Sequence, residues 1–247
     1  MNLPASVAIP PEPSSVWVVT RNKQAISPLA YCAKIDRTSR TLSSMSFSCI
    51  IVYILWQIPR FQGMLQHYFV ANRHNIRHGR YVSMLLAAVS HASLTHLLVN
   101  LFAFLSFGPS LRQTLIMSNW PLWPLIWGAA LFASLSFLLF ESQRGCMGLS
   151  GVTLAFLALQ ARLTPERQFA VALMGILPVR MPAQVALICL LVWSLIGSLA
   201  RKSRVAHVSH LGGLLFGMGY YELWMRRNKL RSVSYKTRTM LGQVFKK

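Results

Sequence analysis

Six stretches of this chain carry no charged side chain, and their lengths limit what it can fold into more than any other feature. They run from Thr41 to Pro59, Tyr81 to Leu111, Gln113 to Phe140, Gly145 to Ala161, Met181 to Ala200 and Val205 to Tyr221. A helix needs roughly 20 apolar residues to cross a bilayer, within a range of about 17 to 25, and every one of these runs reaches or exceeds that range. A transmembrane β-barrel would instead show short alternating segments, which are absent here. One further apolar stretch, Gln168 to Val179, has only 12 residues and is closed by Pro178 and Pro182 around Arg180. That length suits an interfacial or re-entrant segment rather than a span. The pattern predicts an all-α polytopic membrane protein, a bundle of six transmembrane helices.

Charge is confined to the intervals between the runs and is nearly all of one sign. The chain has 25 Lys+Arg against 5 Asp+Glu, for a net charge of +20, and only 12% of its residues are charged. A soluble domain would have about twice that share. With six spans, the N-terminal segment, the loops after the second and fourth runs and the C-terminal tail share one side and hold 17 Lys+Arg, against 8 on the other side. The positive-inside tendency places both termini on the cytoplasmic or matrix side. Trp120, Trp123 and Trp127 near the start of the third run, and Trp224 near the end of the sixth, suit either interfacial belts or core packing.

Three parts follow from this distribution. Residues 1–40 are Pro- and Ser-rich with a basic end, and predict a disordered leader compatible with a targeting segment. Residues 41–226 form the membrane domain. Residues 227–247 are a basic tail, suited to anchoring the topology or touching anionic lipid. The basic excess forms no separate domain, which argues against nucleic-acid binding. Cys32, Cys49, Cys146 and Cys189 lack any C-x-x-C spacing, so neither a disulfide framework nor a zinc site is indicated.

Polar residues inside a bilayer are expensive, so the ones that persist mark the place to look for chemistry. His96 and Asn100 are four apart and share one helix face, where two donors could hold an oxyanion or bond to a neighbouring helix. His91 lies on a different face, nearer the loop, and reads as a clamp for it. Gly148-Leu149-Ser150-Gly151 sets a serine between glycines at the start of the fourth run, where early helical N–H groups are free. By itself this motif is also common helix packing. The sixth run supplies His210, with Gly213 and Gly217 in a small-xxx-small register matching Gly151 and Ala155 of the fourth. Such close approach is what a serine hydroxyl needs to reach an imidazole. His207 is a competing base outside the glycine register.

The six-span topology lets these groups meet, because the second, fourth and sixth runs all enter from the side opposite the termini. Ser150 and His210 then lie within about two turns of that entrance. None of the five acids, Glu12, Asp36, Glu141, Glu166 and Glu222, falls within a run near His210. A Ser–His dyad is therefore the economical arrangement, rather than a triad.

Taken together, H-x-x-x-x-H-x-x-x-N, G-x-S-G and H-x-x-G-x-x-x-G on alternate helices resemble the rhomboid intramembrane serine proteases over roughly Thr41 to Arg226. The resemblance implies Ser150 as nucleophile and His210 as general base. It implies an oxyanion hole from His96, Asn100 and the Ser150 N–H, with Gly148 permitting close approach. His91, Gly151, Gly213 and Gly217 would be structural supports. It further implies no cofactor and no metal, a transmembrane protein as substrate, and substrate entry between the second and fifth spans, near Met181 to Ala200. Many members carry Trp-Arg where this chain has Val82 and Ser83, and the run from Ser83 to His91 is more similar to the mitochondrial, presenilin-associated branch. A mitochondrial inner membrane and a bacterial plasma membrane both fit the charge pattern. The rival reading is a non-catalytic rhomboid-like protein that binds transmembrane segments; such proteins usually lose the serine or the histidine, and both are present here. A metal carrier using the histidines would need acidic or thiolate partners beside them, and the sequence offers none there.

Overall fold

The computed structural model describes residues 18–19, 25–26, 28–117, 122–140, 145–173, 177–199 and 205–226. Most of the expected leader, the tail from 227, Trp120 and the side chain of Trp224 lie outside the described residues. Strands β1 (Val18–Val19) and β2 (Ala25–Ile26) form a brief antiparallel pair. Helix α1 (Pro28–Trp56) begins ahead of the first neutral run and takes in the end of the stretch expected to be a leader. Three short helices follow, α2 (Pro59–Tyr68), α3 (Arg73–Arg77) and α4 (Ser83–Leu86), the last running into a 3-10 turn at Ala87–Val89. Then come α5 (Leu94–Met117), α6 (Leu122–Phe140), α7 (Ser150–Leu163), α8 (Ala183–Leu199) and α9 (His207–Tyr220), which a π-helical turn extends over Tyr221–Arg226.

Helices α1 and α5 to α9 thus fall on the six neutral runs. Two of them, over Leu94–Leu111 and Leu122–Phe140, are long and apolar enough to cross a membrane, whereas α7 and α8 are apolar but shorter. The runs shorten because their ends serve other purposes. Tyr81–Ser93 becomes α4 and a loop, Gly145–Leu149 is the approach to α7, and Met181–Pro182 belongs to a strand.

The all-α expectation needs correcting at the β1–β2 pair and again within Gln168 to Val179, where the described residues form an antiparallel pair, β3 (Gln168–Leu173) against β4 (Leu177–Pro182), in register from Gln168↔Pro182 to Leu173↔Leu177. Pro178 and Pro182 are poor helix-interior residues and are tolerated in a two-stranded edge. At the hairpin base, Ala183 N–H donates to Arg167 O at 2.8 Å and Gln184 N–H to Pro165 O at 3.1 Å. Buried Phe169 meets Phe107 of α5 edge-on at 5.0 Å.

Large apolar side chains cover the outside of the bundle: Phe47, Ile50 and Ile54 on α1, Leu98, Phe102 and Leu105 on α5, Leu131, Phe132 and Leu135 on α6, and Ile188, Val192 and Ile196 on α8. In water such a surface would be a large exposed patch; against lipid it is the expected face. The interior is instead built around small residues. On α7, Gly151, Val152 and Thr153 are enclosed, and the turns that follow bury Ala155, Phe156, Leu157, Ala158 and Leu159 completely. A methyl added at Gly213 would land on the Gly151 backbone, one at Gly217 on the Ala155 backbone, and one at Gly151 on Ala133 of α6. Helices α6, α7 and α9 therefore pack at very short range, α7 and α9 backbone to backbone, the approach that small residues permit where no hydrophobic effect drives helices together.

Candidate active site

The α7–α9 contact brings two of the predicted residues into bonding distance. His210 Nε2 lies 2.9 Å from Ser150 Oγ, and both residues are half-buried. The helices run parallel, and the same pair is tied at the far end by Arg162 and Glu222. His210 Nδ1 is buried without a hydrogen-bond partner among the described residues. Its ring is flanked by Trp193 of α8, with centroids 6.1 Å apart, and by His207 at 6.2 Å. His207 itself packs edge-on against Trp193 at 4.6 Å and occupies the space above Gly197. The competing histidine is thus a wedge between α8 and α9, while His210 bonds the serine.

The segment before Ser150 is held from several sides. Gly148 has φ +123°, a conformation that side chains rarely adopt. A Cβ there would sit 2.7 Å from His96 Cε1 and 2.8 Å from His96 Nε2, so the imidazole of His96 rests directly on this glycine. Gly148 N–H donates to Ala87 O at 2.8 Å, and Leu149 N–H donates to His91 Nε2 at 3.2 Å. His91 is completely buried and meets His96 edge-on at 5.0 Å. One strand-like bridge pairs Ala71 with Cys146, N–H to O at 3.0 and 2.9 Å. From the other side, Trp56 Nε1 at the end of α1 donates to Ser90 Oγ at 2.8 Å, and that hydroxyl reaches Met147 Sδ at 3.8 Å.

His96 therefore stands beside the serine motif, as does His91, while Asn100 is differently engaged. Its Nδ2 donates to the His96 carbonyl at 2.8 Å, one turn back on its own helix. The Ser150 N–H belongs to the first turn of α7, where no intrahelical acceptor exists. Sequence reasoning had no signal for Trp193, an ordinary aromatic in an apolar run, or for Trp56. It also missed Asn75, whose buried amide donates to Gln66 O and Val70 O, each at 2.8 Å, and so fixes the loop bearing Ala71. Among the described residues no group of three or more His, Cys, Asp or Glu side chains is placed to hold a metal ion.

A mostly helical bundle with an apolar outer surface and a serine–histidine contact between two interior helices defines the class by its architecture. The chain belongs to the rhomboid family, whose Rhomboid domain model matches residues 78–227. It is 28% identical over 197 residues to the presenilin-associated rhomboid-like protein A, mitochondrial, of Danio rerio, covering 77% of this chain and 50% of that protein. It is 29% identical over 177 residues to Rhomboid protein 1, mitochondrial, of Saccharomyces cerevisiae, covering 69% and 49%. With the presenilin-associated rhomboid-like protein, mitochondrial, of Homo sapiens the identity is 27% over 207 residues, covering 81% and 54%. The similarity is thus to the mitochondrial branch, and the chain spans about half the length of these curated relatives.

Proposed function

We propose that this chain is an intramembrane serine endopeptidase that cuts transmembrane segments of other membrane proteins with a Ser150–His210 dyad. The observation that carries the reading is the 2.9 Å contact between Ser150 Oγ and His210 Nε2 on helices joined through glycine. In the reaction, His210 Nε2 takes the Ser150 proton as Oγ attacks the scissile carbonyl carbon, and the oxyanion is met by the Ser150 N–H and His96. Asn100 joins them by turning its amide away from the His96 carbonyl. Collapse of the intermediate passes the proton from His210 to the leaving amine, and a water molecule, activated by the same imidazole, releases the acyl group from Ser150. Trp193 and His207 hold the imidazole plane in the place where a triad would use an acid.

In this reading residues 41–226 form a six-span domain, with α1 and α5 to α9 as its spans, the leader and basic tail on the matrix side of a mitochondrial membrane, and substrate entering between α5 and α8. The mitochondrial names of the relatives and the excess of Lys and Arg on the side of the termini support that placement.

The test is fluorophosphonate labelling and reporter cleavage by the purified chain in proteoliposomes. Labelling and cleavage should both vanish in Ser150→Ala and in His210→Ala, with thermal unfolding retained. A His210→Ala protein that cleaves at the wild-type rate would end the dyad reading. Folded wild-type protein that neither labels nor cleaves, yet captures transmembrane segments, would favour a non-catalytic binding role.

A further inference from the structure

The seven histidines divide into two groups. Four stand around Ser150, and the other three, His67, His74 and His78, lie with Arg60, Arg73, Arg77 and Arg80 in the loop between α1 and α5. That loop belongs to the side with few basic residues, yet it contributes half of the 8 Lys+Arg counted there, and no acid occurs between Asp36 and Glu141. A solvated loop has no need of such one-signed charge.

Its display is ordered. Phe61, Leu65 and Phe69 turn α2 inward, which leaves Arg60, Met64, His67 and Tyr68 along the outer face at helical spacing, all exposed. Asn72 caps α3 by accepting from Asn75 N–H at 2.7 Å, and Asn75 in turn accepts from Arg80 Nη1 at 3.1 Å. Arg80 links the two helices, since Nη1 also donates to His67 Nδ1 at 3.0 Å and the guanidinium lies over the Tyr68 ring at 5.9 Å. The His74 and His78 rings lie 4.2 Å apart, tilted at 39°, beside exposed Arg77. Arg73, like Arg80, is turned to structure, donating to the Leu138 and Leu139 carbonyls at the end of α6. Cations interleaved with exposed Tyr68, Tyr81 and Met64, held rigidly at the rim of a lipid-faced bundle, match the polar and apolar layers of a phospholipid headgroup region.

We infer that the outer face of α2 and α3, centred on Arg60, His67, Arg77 and His78, is a docking surface for anionic phospholipid headgroups. The inference rests on the membrane placement of the bundle and is independent of its chemistry. It is separate from any lipid contact of the C-terminal tail, on the opposite side.

The experiment is native mass spectrometry of the full chain in neutral detergent, offered equimolar phosphatidylglycerol and phosphatidylcholine. It is run in a background with every Lys and Arg of residues 227–247 changed to glutamine, so that the tail is silent. The background protein should retain phosphatidylglycerol preferentially. Arg60→Gln with Arg77→Gln should lower that preference by about thirtyfold, at roughly fivefold per arginine near a membrane surface. Arg60→Lys with Arg77→Lys should keep it, which separates charge from any change in folding. Equal retention of the two lipids by the background protein, a glutamine pair within twofold of it, or a lysine pair that loses the preference would each overturn the inference.

Discussion

Replacing Gly213 by alanine tests whether glycine contacts set the reacting geometry. A methyl at this position meets Gly151 C and Cα at 2.9 Å, with the Gly151 carbonyl oxygen nearer still. These are backbone atoms of an enclosed helix, so no side chain can swing aside. Ordinary carbon contacts are about 3.5–4.0 Å, so α9 must withdraw from α7 by about 0.6–1.1 Å. Carried to the Ser150–His210 pair, now at 2.9 Å, that displacement gives about 3.5–4.0 Å, beyond the roughly 3.2 Å reach of a working base. A misplacement of about 1 Å lowers rates about a hundredfold, while overpacking typically costs about 1–3 kcal/mol, on the order of a modest fall in melting temperature. The assay is the second-order rate of fluorophosphonate labelling, with thermal unfolding measured on the same samples. Gly219→Ala is the control, on the same helix with nothing within 4 Å of the added methyl. Gly213→Ala should lose labelling far more than stability, and Gly219→Ala should lose neither. A Gly213→Ala protein labelling within twofold of wild type would refute the claim that these backbones fix the pair.

Gly148→Ala combines a positive φ with the His96 ring, so labelling should fall about a hundredfold; Gly79→Ala, also at positive φ but with open space around it, should label normally. His91→Ala leaves the Leu149 N–H without its acceptor and should lower stability by about 1–3 kcal/mol, read in chemical unfolding. Trp193→Ala removes the ring beside His210 and His207; at about 0.5–1.5 kcal/mol per aromatic contact, labelling should drop up to about tenfold, with Trp193→Phe retaining most of it.

The sequence made the serine–histidine pairing legible because two independent constraints agree on it. Counting neutral runs orders the helices, and glycine spacing on the fourth and sixth runs selects His210 over His207 three residues away. His91 was expected to clamp its own loop; its ring nitrogen instead accepts from Leu149 N–H in the segment before Ser150, a partner that no spacing in the sequence indicates. Helix length was read less well. Neutrality is a property of composition, while a helix starts where caps, prolines and positive φ allow, and so α7 begins at Ser150 rather than at Gly145. The hairpin at Gln168–Pro182 was beyond reach because its pairing depends on register between strands that carry no alternation. Trp193 and Asn75 were invisible for want of any local pattern; each matters only through what the fold brings beside it.

One relation ties these elements together. His210 and Ser150 are 60 residues apart in sequence, as are Glu222 and Arg162. Gly213 with Gly151, and Gly217 with Ala155, hold nearly the same offset, 62 residues in each case. A near-constant offset over three turns means that α7 and α9 are parallel and locked in register. The glycines fix how close the two helices lie, and the Arg162–Glu222 pair resists sliding at the far end, where a slip of one residue would move His210 by about 1.5 Å along the axis. Parallel neighbours need a crossover between them, and the hairpin with α8 supplies it, carrying Trp193 back to the imidazole. His210 is therefore oriented by the packing of three helices, and in the proposed dyad a third ionisable group, costly to bury within a membrane, is not required to hold it.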